Sequence, residues 1–85
     1  MPTMSKSKIL LVDDDPGLLK LLTIRLRTEG YEVEAVQSGM AALNAATRNH
    51  PDLVISDLKM DGMDGIGLLG ELQRKWPGLR VVIMT

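Results

Sequence analysis

Four short apolar runs recur along the chain, and the stretches between them carry apolar residues at helical spacing. The first run, Lys8-Ile-Leu-Leu-Val12, is unbroken by polar residues, the pattern of a strand covered on both faces of a parallel sheet. Tyr31 to Val36 alternates polar and apolar positions, as expected of a strand near a sheet edge. Asp52-Leu-Val-Ile-Ser56 and Arg80 to Met84 complete the set as the third and fourth strands.

Between them the punctuation is helical. Asp15 followed by Pro16 predicts an N-cap with proline in the first turn, where a missing N–H costs nothing. Leu18, Leu19, Leu22, Ile24 and Leu26 predict an apolar stripe that needs a sheet to cover, in a helix that stops at Gly30. Ser38 is placed to cap a second helix through Met40, Ala42, Leu43 and Ala46, ended by His50-Pro51. A loop rich in glycine, methionine and aspartate runs to Asp64, and Ile66 to Trp76 predicts a third helix, with Trp76 closing it against the sheet. Strict alternation of strand and helix defines an open, doubly wound parallel α/β sheet in a single domain over residues 8–85, preceded by a flexible tail over residues 1–7. Thr85 follows directly on an apolar strand with no covering helix, so the fold is expected to be incomplete.

Composition narrows the function classes. At 45% apolar and 25% charged residues the chain has the balance of a globular segment, yet 85 residues bury too little surface for more than marginal stability. The absence of cysteine, a polar lysine-bearing N-terminus and an apolar run far too short for a signal or a membrane span point to a soluble, cytoplasmic protein. Net charge is −1 with both signs scattered, and no aromatic residues interleave with the basic ones, so this segment carries no footprint for direct contact with nucleic acid.

The candidate chemistry is carboxylate chemistry. Asp13, Asp14 and Asp15 follow the first strand and Asp57 follows the third. Open α/β sheets bind ligands outside the carboxyl ends of their strands, where the strand order switches direction, and the first and third strands would flank that crevice. Carboxylates crowded there repel one another unless a cation intervenes. Mg²⁺ suits such a set, since it takes oxygen ligands at about 2.0–2.1 Å and typically one or two carboxylates plus a phosphate oxygen. With a metal to neutralise charge, a carboxylate can also act as a nucleophile toward phosphorus, a role open to Asp57. Taken singly, the acidic triplet reads equally well as a helix-capping turn, and Asp57 as a loop-starting residue.

Jointly, Lys8-Ile-Leu-Leu-Val-Asp-Asp-Asp-Pro16, Asp52-Leu-Val-Ile-Ser-Asp-Leu-Lys-Met60, Met63-Asp-Gly65 and Val81-Val-Ile-Met-Thr85 resemble the receiver domains of bacterial two-component response regulators. The resemblance covers essentially everything after Ser7 and is strongest toward receivers of enhancer-binding AAA+-type transcription activators. It implies a flavodoxin-like fold that lacks its last helix, strand and helix. It implies Asp57 as phosphoacceptor for a sensor histidine kinase, and Mg²⁺ held by Asp14, Asp57 and the Lys59 backbone carbonyl, with Asp13 acting through water. It implies Thr85 as the switch hydroxyl that follows the phosphoryl group, and an output domain, transcriptional in kind, as the element controlled. The family's strand-five lysine has no counterpart in this chain, and Asp61 stands where the family most often has proline.

Two rival readings use the same residues. Asp13 and Asp15 have the Asp-x-Asp spacing of haloacid-dehalogenase-type Mg²⁺ phosphohydrolases, with Asp13 as nucleophile, although Gly17 replaces the threonine-like residue expected there. A receiver-like module that binds partners without phosphorylation is the second, opposed by the full acidic set. His50 lies in a turn before Pro51 and reads as a structural residue, not as a phosphorelay donor. The exposed fourth strand, if it forms a sheet edge, is expected to favour a homodimer or other self-association.

Overall fold

The computed structural model describes residues 7–57 and 65–84. The N-terminal tail up to residue 6, most of the acidic loop with Lys59 and Asp61, and Thr85 lie outside the described residues.

Seven elements follow in strict alternation: β1 (Lys8–Val12), α1 (Pro16–Thr28), β2 (Glu32–Val36), α2 (Gly39–Arg48), β3 (Leu53–Asp57), α3 (Gly65–Lys75) and β4 (Arg80–Met84). The four strands form one parallel sheet in the order β2-β1-β3-β4. Leu11 stands opposite Ala35 on one side and Ile55 on the other, so β1 is interior and paired along both edges.

This interior position explains the unbroken apolar run. Ile9 and Leu11 face one layer, where Leu19 of α1 and Val33 are buried and Leu22, Leu26, Leu53 and Ile55 pack around them. Leu10 and Val12 face the other, with Val54, the alanines of α2, and Leu68, Leu72 and Leu79. Ala42, Ala45 and Ala46 are all but completely buried, and their small side chains let α2 lie close over β1.

The helix ends follow their local chemistry. The Asp15 carboxylate accepts hydrogen bonds from the N–H groups of Gly17 (3.0 Å) and Leu18 (3.3 Å), with Pro16 opening the helix. The Ser38 hydroxyl accepts from the Ala41 N–H at 3.1 Å. At the other end of α1, Gly30 adopts φ +97°, the Gly30 N–H donates to the Arg27 carbonyl (3.0 Å) and the Tyr31 N–H to the Leu26 carbonyl (3.1 Å), a Schellman closure. That use of its N–H leaves Tyr31 outside β2, which begins one residue later than its alternation predicts.

Three expectations are corrected. The stripe on α1 consists of Leu19, Leu22 and Leu26, whereas Leu18 and Ile24 are 37% and 56% exposed. At 100° per residue these two point about 100° and 140° away from Leu19, beyond reach of the sheet. β3 runs from Leu53 through Asp57 instead of Asp52 to Ser56, because Asp57 pairs with Met84 while the Asp52 carboxylate accepts from the Lys8 N–H at 2.7 Å. α3 starts at Gly65 and ends at Lys75; Trp76 still donates its N–H to the Leu72 carbonyl at 2.7 Å and packs against the core as expected. The His50 ring meets Trp76 edge-on at 5.4 Å, at the end of the sheet where β3 begins, in keeping with a structural role.

Truncating a side chain in the α3 layer tests this packing. Leu68→Ala or Leu72→Ala is expected to cost about 2–5 kcal/mol in chemical denaturation, while Ile24→Ala on the outer face of α1 stays within about 0.5 kcal/mol.

Candidate functional site

The site is built by the register of two strands. Val12 pairs with Ser56, so the residues that follow, Asp13 and Asp57, emerge side by side at the carboxyl ends of β1 and β3. From β1 the chain crosses first to β2 on one side and later to β3 on the other, which makes this the switch point where the sheet opens a crevice. The Asp13 N–H continues the ladder by donating to the Val36 carbonyl at 3.1 Å, so the first carboxylate leaves a fixed backbone.

The three consecutive aspartates do different work. Asp13 is 3% exposed, and its Oδ1 accepts the Asp15 N–H at 2.9 Å, folding the turn back on itself. Asp15 is committed to capping α1. Asp14 is exposed and makes no hydrogen bond with a described residue. Together with half-buried Asp57, Asp13 and Asp14 offer carboxylate oxygens that all lie within 4.8 Å of one another, a grouping able to hold a metal ion. Asp15, included in the acidic triplet on spacing alone, is not part of it.

Electrostatics favour a cation here. Burial pushes the Asp13 carboxyl above its ordinary value; the Asp15 N–H opposes that shift, and the charges of Asp57, Asp14 and Asp15 reinforce it. All donors are hard oxygens, the chemistry that suits Mg²⁺ or a similar divalent ion. Two oxygens bound to one ion at about 2.1 Å are at most about 4.2 Å apart. A cluster whose oxygens all lie within 4.8 Å of one another is therefore close to the span that one ion can bridge.

One polar residue near the site has no counterpart in the pattern-based expectations. Ser56 is completely buried directly before Asp57, and its hydroxyl donates to the Asp57 carbonyl at 3.0 Å. The only signal of it in the sequence is a hydroxyl in an otherwise apolar strand. Lys59 and Thr85, the remaining residues expected to contribute, lie outside the described residues. No helix among the described residues is long and apolar enough to cross a membrane.

A parallel sheet of this order, with carboxylates gathered at its switch point, defines the receiver class, and residues 9–85 match the response regulator receiver domain family: the chain belongs to it. Among its relatives, the transcriptional regulatory protein GlrR of Escherichia coli (strain K12) is 56% identical over 77 residues, covering 91% of this chain and 17% of that protein. The chain thus spans about a sixth of the length of that relative. The response regulator TrrA of Thermotoga maritima, solved with Mg²⁺-BeF, superimposes with a TM-score of 0.87 at 35% identity over 91% of this chain and 67% of that one. The same protein in complex with the histidine kinase ThkA gives 0.88 at 35% identity over 93% and 68%.

The raised Asp13 carboxyl has a consequence for stability. Because the folded state holds this proton more tightly than the unfolded chain does, its contribution is fully present below the ordinary carboxyl range and is lost as pH rises through the elevated value. With a chelator present, Asp13→Asn, which keeps the oxygen that accepts from Asp15, is expected to be more stable than the wild type at neutral pH. The advantage should vanish at pH values where Asp13 is protonated in both states, as read from denaturation midpoints across pH.

Proposed function

We propose that this receiver takes a phosphoryl group from a sensor histidine kinase onto Asp57 and thereby controls an output domain, transcriptional in kind, in the cytoplasm. The observation that carries the reading is the grouping of Asp13, Asp14 and Asp57 at the β1–β3 switch point. Burial supports a difference in role: Asp13 is 3% exposed with one oxygen engaged, whereas Asp57 is half-buried. This supports Asp57 as nucleophile over Asp13, the residue that a haloacid-dehalogenase-type reaction requires.

In the proposed reaction an Asp57 oxygen forms a bond to phosphorus as the bond from phosphorus to the donor's histidine nitrogen breaks, and that nitrogen ends with the electron pair. Asp14 and Asp57 would hold Mg²⁺ directly with the Lys59 carbonyl, and Asp13 through water. When bound, the ion offsets the negative charge of the carboxylates and of the transferring group. Asp13 also keeps the β1–α1 turn in shape through Asp15, so the acidic cluster stays assembled between cycles. Thr85 would follow the phosphoryl group by hydrogen bonding and so bias the receiver toward its active state. A kinase complex of the structurally similar TrrA and the regulatory name of GlrR support the choice of partner and output.

The test is incubation of the full-length protein with its kinase, or with acetyl phosphate, and Mg²⁺, followed by peptide mapping of the phosphoryl group. Modification at Asp57, lost to background in Asp57→Ala, is the expected result; modification at Asp13, or none in a folded protein, would contradict the proposal. Asp14→Asn is expected to weaken the Mg²⁺ requirement curve about tenfold or more, read as the Mg²⁺ concentration that gives half-maximal phosphorylation.

A further inference from the structure

Ser56 is the one completely buried polar side chain among the described residues. Along β3, Leu53 and Ile55 turn toward α1 and Val54 turns toward α2 and α3; by alternation Ser56 shares the face of Val54, within the apolar layer that holds Val12 and Leu68. A hydroxyl there carries a desolvation cost that alanine or valine would not, unless it makes a hydrogen bond. It makes one, at 3.0 Å, and the acceptor is the backbone carbonyl of Asp57.

That acceptor matters because of where it lies. Asp57 pairs with Met84 as the last residue of β3, and its carbonyl begins the peptide plane that leads out of the sheet. With the strand ladder holding one side of Asp57 and the Ser56 hydroxyl holding the carbonyl, rotation of the residue is restrained at both ends. The direction in which its carboxylate leaves the backbone is thereby set from beneath, by a group that does not touch the crevice. We propose that Ser56 is a positioning residue for Asp57, restraining the backbone so that the carboxylate oxygen stands in line for phosphoryl transfer. The inference rests on the reading of Asp57 as phosphoacceptor.

Small displacements of a reacting group are costly in rate, on the order of a hundredfold for about 1 Å, and loss of a single restraining bond is expected to cost about a tenth of that. The experiment measures, in the full-length protein at saturating Mg²⁺, the rate constant for phosphorylation by acetyl phosphate per folded molecule, beside the unfolding midpoint. Ser56→Ala is expected to slow phosphorylation about tenfold, and Ser56→Thr, which returns the hydroxyl, to recover most of the rate. A serine that only satisfies its own burial would lower the unfolding midpoint of Ser56→Ala and leave the rate constant unchanged, which overturns the inference. Equal slowing in both variants overturns it as well, since the hydroxyl would not then be the cause. Should Ser56→Ala not fold, Ser56→Cys fills the same space with a weaker donor, and an intermediate rate is expected; a wild-type rate contradicts positioning. Absence of phosphorylation at Asp57 in the unsubstituted protein would instead overturn the reading on which the inference stands.

Discussion

The parallel pairing of β1 with β3 is the constraint on which the site depends. Asp13 and Asp57 belong to sequence segments 44 residues apart, and only the register that sets Val12 beside Ser56 delivers both carboxylates to the same crevice. Their proximity is unfavourable by itself, since like charges in a partly buried place raise one another's cost of ionisation. The fold sustains it through apolar burial on both faces of β1 and through hydrogen bonds that hold Asp13 and Asp15 in a tight turn. The repulsion left over favours a cation between the carboxylates.

The division of labour among Asp13, Asp14 and Asp15 illustrates how three identical side chains acquire different properties from backbone geometry. The first is buried as the strand ends, the second is exposed on the turn, and the third is turned back to cap the helix. Only the first two join Asp57. Asp15 and one oxygen of Asp13 are engaged in holding the turn and the cap.

Much of this was legible in the sequence for identifiable reasons. An unbroken Ile-Leu-Leu-Val run means burial on both faces, Asp15-Pro16 and Ser38 are local caps, and Gly30 is the residue that tolerates the positive φ needed to close α1. The orientation of α1 was less legible, because Leu18, Leu21 and Ile24 are as apolar as Leu19, Leu22 and Leu26, and composition does not say which side of a leucine-rich helix meets the sheet. The assignment of Asp15 to capping alone needed the turn geometry. Ser56 went unnoticed because its significance lies in the identity of its acceptor, a backbone carbonyl that no residue pattern specifies.

The measurement that tests the central claim most directly is a Mg²⁺ titration of the full-length protein followed by amide-resolved NMR. Saturable shifts concentrated at Asp13, Asp14, Asp57 and the residues beside them, absent in an Asp14→Asn/Asp57→Asn variant that stays folded, are the predicted result. Shifts spread evenly over exposed acidic residues, or no shifts at the β1 and β3 ends, would contradict the account.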